Sequence, residues 1–133
     1  MREAGESQAG TLLLIVPDPA LARALSRIAE TAGLTPLATL SHEAAAMALL
    51  EKPRIVLVDM SHSEDALALC REIRESAPSA PLIAITADAQ LPRGAREAGI
   101  ADFVSKPVDR ELLATRIAFH LDAPPPRAHE QSH

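Results

Sequence analysis

Tryptophan and tyrosine are absent from this 133-residue chain, and phenylalanine occurs only as Phe103 and Phe119. With aromatics at 2%, the core has to be aliphatic, and no platform is offered on which bases of RNA or single-stranded DNA would stack. A single cysteine, Cys70, rules out an intrachain disulfide and a cysteine zinc cluster. No apolar run approaches the roughly 20 residues of a membrane-spanning helix. The opening MREAGESQAG lacks the apolar stretch of a secretory signal. Basic excess is missing too. Against 18 acidic residues stand 13 basic ones, a net charge of −5 that gives duplex nucleic acid no electrostatic footprint. A reducing cytoplasm is the expected location, with neither nucleic acid nor membrane as partner.

What remains is ordinary globular usage, 47% hydrophobic and 23% charged, in one domain's length. Residues 1–10 are polar and are expected to be a disordered tail. Residues 123–133, APPPRAHEQSH, open with prolines that end any preceding helix and read as a second tail. Between them, short apolar runs alternate with helical patterns. TLLLIV (Thr11 to Val16) is continuous, as a strand buried on both faces requires. Leu21, Leu25, Ile28 and Ala32 follow at helical spacing, up to Gly33. Pro36 to Leu40 reads as an edge strand, where proline is tolerated. Ser41 is placed to cap a helix carrying Ala45, Ala46, Leu49 and Leu50. Ile55 to Val58 is a third buried run, ending at Asp59. Ala66, Leu69, Cys70 and Ile73 stripe the next helix. Pro81 to Thr86 is the fourth strand, a short helix is expected around Arg93 to Ala98, and Ala101 to Ser105 is the fifth strand. Leu113, Ile117 and Leu121 mark the last helix, capped by Asp109.

Five β/α repeats of this kind predict an α/β fold, a parallel sheet with helices on both faces. In such a sheet, functional groups gather beyond the carboxyl ends of the strands. Those ends carry Asp18, Asp59, Thr86 and Lys106. A carboxylate, a hydroxyl and an ammonium on one rim suit phosphoryl transfer to the carboxylate, which can form an acyl phosphate while the lysine and hydroxyl hold the phosphoryl oxygens. The bland alternatives are a loop-initiating Asp59, a surface Lys106 and an Asp18 that only caps a helix.

Asp59, the Ile-Thr-Ala of residues 85–87, Lys106-Pro107, the segment PALARAL, and AGIADFVSKPVDRELL together resemble the response-regulator receiver domain over about residues 11–122. The resemblance implies a doubly wound, flavodoxin-like sheet of five parallel strands in order 2-1-3-4-5, with five helices. It implies that Asp59 is the phosphoacceptor, Lys106 the phosphoryl-binding lysine, Thr86 the switch hydroxyl and Phe103 the switch aromatic. It also implies a cis Lys106-Pro107 bond. Phe103 reads equally as core filling. Mg2+ would draw on Asp59, the backbone carbonyl of Ser61 and an acidic pair after the first strand. Here Val16-Pro17 stand on that pair, or a one-residue shift puts Asp18 on its second position; either way at least one carboxylate is missing, so Mg2+ binding is expected to be weak. The loop MSHSEDAL also departs from the family pattern, with Ser63 near a usual proline and Ala66 in place of a glycine.

The partners implied are a histidine kinase or phosphotransfer protein, and a downstream protein met through the fourth helix, fifth strand and fifth helix. A homodimer is left open. With no output domain encoded, the message is expected to pass by protein contact or return transfer. The rival is a pseudo-receiver, a protein-interaction module that works without phosphorylation. A dedicated enzyme is not expected, and no strand runs into a GxGxxG or P-loop. His62, near Asp59, reads as a solvated loop residue, and His129 and His133 as tail residues. Cys70 reads as core.

Overall fold

A computed structural model describes residues 10–62, 65–88 and 90–122, and only the backbone of His62. Ser63, the histidines at 129 and 133, and both expected tails except Gly10 lie outside the described residues. The elements in chain order are β1 (Thr11–Ile15), α1 (Pro19–Thr31), β2 (Thr35–Ala38), α2 (Ala44–Glu51), β3 (Ile55–Asp59), α3 (Ala66–Ser76), β4 (Leu82–Thr86), β5 (Ile100–Ser105) and α4 (Arg110–Asp122). Single 3-10 turns cover Ser41–Glu43 and Met60–His62.

All strand pairs are parallel, in the order β2-β1-β3-β4-β5 expected above. Alternate residues of each buried strand feed opposite layers, as the period of two demands. Leu13, Ile15, Val56, Val58, Leu82 and Ala84 face α2 and α3, where Ala44, Ala48, Cys70 and Ile73 pack on them. Leu12, Leu14, Ile55, Leu57, Ile83 and Ile85 face α1 and α4, meeting Leu25, Ile28, Ala29, Leu113 and Ile117. Cys70 is therefore core, as read from its helix stripe. Pro36 sits on the edge strand β2, which pairs with β1 alone.

Two expectations fail. The helix expected around Arg93 to Ala98 does not form, so the described residues hold four α-helices rather than five. Gly94 has φ +87, which a right-handed helix cannot accommodate, and Pro92 lacks an N–H. The segment instead closes as successive turns, with N–H groups of Ala95, Ala98 and Gly99 donating to the carbonyls of Pro92, Gly94 and Arg96 at 3.2, 3.0 and 3.0 Å. Ala95 and Ala98 still pack into the core, which explains why their spacing imitates a helix.

The second failure concerns α2. Ser41 opens a 3-10 turn instead of capping α2, and no side-chain cap is made there. The buried stripe is Ala44 and Ala48, while Leu49 and Leu50 stay 61% and 72% exposed. A helix reading AAAMALLE is apolar around its whole circumference, so periodicity cannot select the face that meets the sheet. The small alanines face the sheet and the leucines are turned outward.

Candidate functional site

Backbone pairing aligns the three rim groups. Asp59 is the last residue of β3 and pairs with Ile85. Thr86 is the last residue of β4 and pairs with Ser105, the last of β5. Lys106 follows directly, and its N–H donates to the Thr86 carbonyl at 2.8 Å, carrying the sheet ladder one step past the strand. The Lys106-Pro107 bond is cis.

From this position Lys106 reaches across β4. Its Nζ lies 2.9 Å from Asp59 Oδ2, while the Asp59 side chain is fully buried and that of Lys106 is 28% exposed. The other oxygen of Asp59, Oδ1, accepts the Ser61 N–H at 2.9 Å. Burial taken alone pushes the Asp59 carboxyl up. The hydrogen bonds from Lys106 and from the Ser61 backbone and hydroxyl, with the lysine's charge, outweigh it and hold the group below the usual aspartate value. Asp59 is therefore ionised at neutral pH, a buried carboxylate whose two oxygens each have a donor. It ends a strand at the carboxyl edge of the sheet, and an ionised carboxylate there has the chemistry of a nucleophile.

Thr86 is the other buried polar side chain among the described residues, 4% exposed. Its hydroxyl donates to the backbone carbonyl of Asp88. That bond closes the start of the loop after β4 beside the mouth of the site. Phe103 is half-buried on β5 and packs against the α2/α3 side of the core, next to Leu91 and Arg96 of the turn segment.

Of the expected metal ligands, Asp59 and Ser61 adjoin at the end of β3, and Asp18 lies just after β1. Asp18 Oδ1 accepts the Ala20 N–H at 3.1 Å as the N-cap of α1, with Pro19 as the first helical residue. Val16 is 7% exposed and packs in the α1/α4 core, so the position nearest the rim at the end of β1 is apolar. Among the described residues no group of three or more His, Cys, Asp or Glu side chains is arranged to hold a metal ion. Mg2+ prefers octahedral oxygen ligands and gives up water reluctantly. Asp59 and Asp18 would supply two carboxylates to it, one oxygen of Asp18 being already engaged in the helix cap.

Sequence reading passed over a second polar cluster. Asp102 on β5 accepts its own neighbour's N–H, that of Phe103, at 2.8 Å through Oδ1. Its Oδ2 lies 3.1 Å from His120 Nε2 and 3.6 Å from Arg116 of α4. The signal was present in the i, i+4 spacing of Arg116 and His120, which places both on one helix face. No helix among the described residues is long and apolar enough to cross a membrane.

Residues 12–118 match the family model of the response regulator receiver domain. Over 125 residues the chain is 30% identical to the transcriptional regulatory protein GlrR of Escherichia coli, a match covering 90% of this chain and 28% of that protein. The chain thus spans little more than a quarter of this curated relative. A response regulator from Thermotoga maritima superposes with TM-score 0.77 at 24% identity, covering 86% of this chain and 98% of the other. The receiver domain of a sensor histidine kinase from Pseudomonas aeruginosa, with a magnesium ion coordinated in its active-site cleft, gives TM-score 0.74 at 23% identity, covering 86% and 98%. A family model spanning most of the chain, on a sheet of the matching strand order, means that this chain belongs to the response-regulator receiver family, the signalling domains of two-component systems.

Proposed function

We propose that this receiver accepts a phosphoryl group on Asp59 from a phosphohistidine donor, a histidine kinase or phosphotransfer protein, and signals by protein contact in the cytoplasm. The observation that carries the reading is the 2.9 Å contact of Lys106 with a fully buried Asp59 at the strand ends, beside Thr86. In the proposed step an Asp59 oxygen attacks phosphorus. The phosphorus–nitrogen bond to the donor imidazole breaks, and its electron pair stays on that ring. Each carboxylate oxygen has two lone pairs, so Lys106 and the Ser61 N–H need not leave for one to attack. Lys106 then balances the new phosphoryl charge. Thr86 has to release the Asp88 carbonyl before its hydroxyl can donate to a phosphoryl oxygen. That exchange frees the loop after β4 and couples the site to the face formed by the turn segment, β5 and α4, where a downstream protein or a second copy would dock.

The test is to incubate the protein with Mg2+ and acetyl phosphate and measure intact mass. One added phosphoryl group, labile to alkali and absent from a folded Asp59→Asn variant, is expected. Val16 and the helix-capping Asp18 favour a second reading, a pseudo-receiver that binds partners without phosphorylation. That reading takes over if the folded native chain gains no phosphoryl mass while a Val16→Asp, Pro17→Asp variant does.

A further inference from the structure

Between α3 and the turn segment, where β4 and β5 begin, lies a cleft of about 520 Å³, a size that suits a small molecule. Pro78, Leu91, Ile100 and Phe103 give it apolar wall, and Arg74 of α3 and Arg96 of the turn segment bring two guanidiniums to it. Among the described residues neither arginine has a carboxylate partner. The acidic residue that lines the cleft, Asp102, is engaged by other groups. Its Oδ1 accepts the Phe103 N–H, and its Oδ2 lies against His120 and Arg116 of α4.

Arg74 is held there by its stem. Gly99 has φ +97, and a Cβ on it would collide with Cδ of Arg74, so the bare α-carbon is the bed on which the stem lies. A packed stem has less freedom left to lose when its guanidinium grips a ligand. Two guanidiniums without partners are a local excess of positive charge on a chain of net charge −5. A phosphomonoester carries about −1.5 to −2 at neutral pH and three acceptor oxygens, which guanidinium forks match in charge and geometry. A carboxylate would bring a single charge to the same pair. The apolar wall suits a hydrophobic group attached to the phosphate. We propose that this cleft binds a small phosphomonoester with an apolar body, which bridges α3 to the turn segment.

The test titrates the full chain, without Mg2+, with phenyl phosphate and follows the backbone amides by NMR. Saturable shifts are expected at Arg96, Gly99 and Ala101, with a Kd on the order of 1 mM for a ligand of this size. Inorganic phosphate should bind severalfold more weakly because it lacks the apolar body, and benzoate because it lacks the second charge. Arg74→Gln and Arg96→Gln, each checked for a native-like amide spectrum, should weaken binding by roughly fivefold or more. Arg74→Lys, which keeps the charge and most of the stem, should recover part of that loss. Bound phenyl phosphate should also slow amide exchange from Leu91 to Ala98. Shifts confined to Ser61, Thr86 and Lys106 would place the anion at the Asp59 rim and overturn the proposal. So would unchanged affinity in both glutamine variants, or benzoate or inorganic phosphate binding as tightly as phenyl phosphate.

Discussion

Lys106 decides the state of Asp59. The carboxylate is fully buried, so removing the ammonium takes away a donor and a countercharge that oppose the desolvation favouring its neutral form. Replacing Lys106 by Ala is expected to raise the Asp59 pKa and to destabilise the fold by roughly 1–3 kcal/mol at neutral pH. The sign follows from linkage. The folded-state value lies below the unfolded one, so Asp59 adds stability above the unfolded value and loses it as pH falls through the folded value. The gap between native and Lys106→Ala stabilities in urea melts should therefore shrink on acidification below the ordinary aspartate range. A gap that is constant with pH would mean that Lys106 acts through packing alone.

Gly94 gives a test whose sign depends on the backbone. In a helix interior, Gly94→Ala would stabilise by roughly 0.5–1 kcal/mol. At φ +87 it should instead destabilise by about 1–2 kcal/mol, because an added Cβ is strained there even though its nearest neighbour, Leu67, is 3.6 Å away. The urea midpoint of the variant separates the two. The metal is also a residue-scale matter. Val16→Asp with Pro17→Asp should bind Mg2+ at least tenfold more tightly than the native chain, read by amide shifts since no Trp is present. Equal affinity would mean that Asp18 leaves its cap to serve as a full ligand.

Among the elements, the segment between β4 and β5 is set apart. All of its described positions except Ala95 and Ala98 are exposed or half-exposed, and its hydrogen bonds are isolated turns rather than a ladder. Opening such a segment requires breaking few contacts, so amides from Leu91 to Ala98 should exchange much faster than those of β3 and β4. Uniform protection across them, measured by hydrogen exchange, would show that the segment is as rigid as the sheet. The Thr86–Asp88 bond at its start gives the site a mechanical hold on it. Element α2 shows a different limit. Its turns carry too few polar residues to mark a face, and the side that packs inward, Ala44 and Ala48, is set by contact with the α2/α3 layer of the core.

For the molecule as a whole, alternation of buried runs and helical stripes determined the parallel sheet, the edge position of Pro36 and the rim on which Asp59, Thr86 and Lys106 meet. Those features follow from period, burial and strand length, which are local properties. The strand order was legible only because the motifs resemble a known family. Tertiary structure alone decided the rest. The fourth helix dissolved into turns because Gly94 takes a positive φ while Ala95 and Ala98 still reach the core. The meeting of Asp102 with Arg116 and His120, and the cleft lined by Arg74 and Arg96, join parts of the chain that no sequence period connects. Packing brings such groups together through contacts between distant segments, and local patterning carries no record of them.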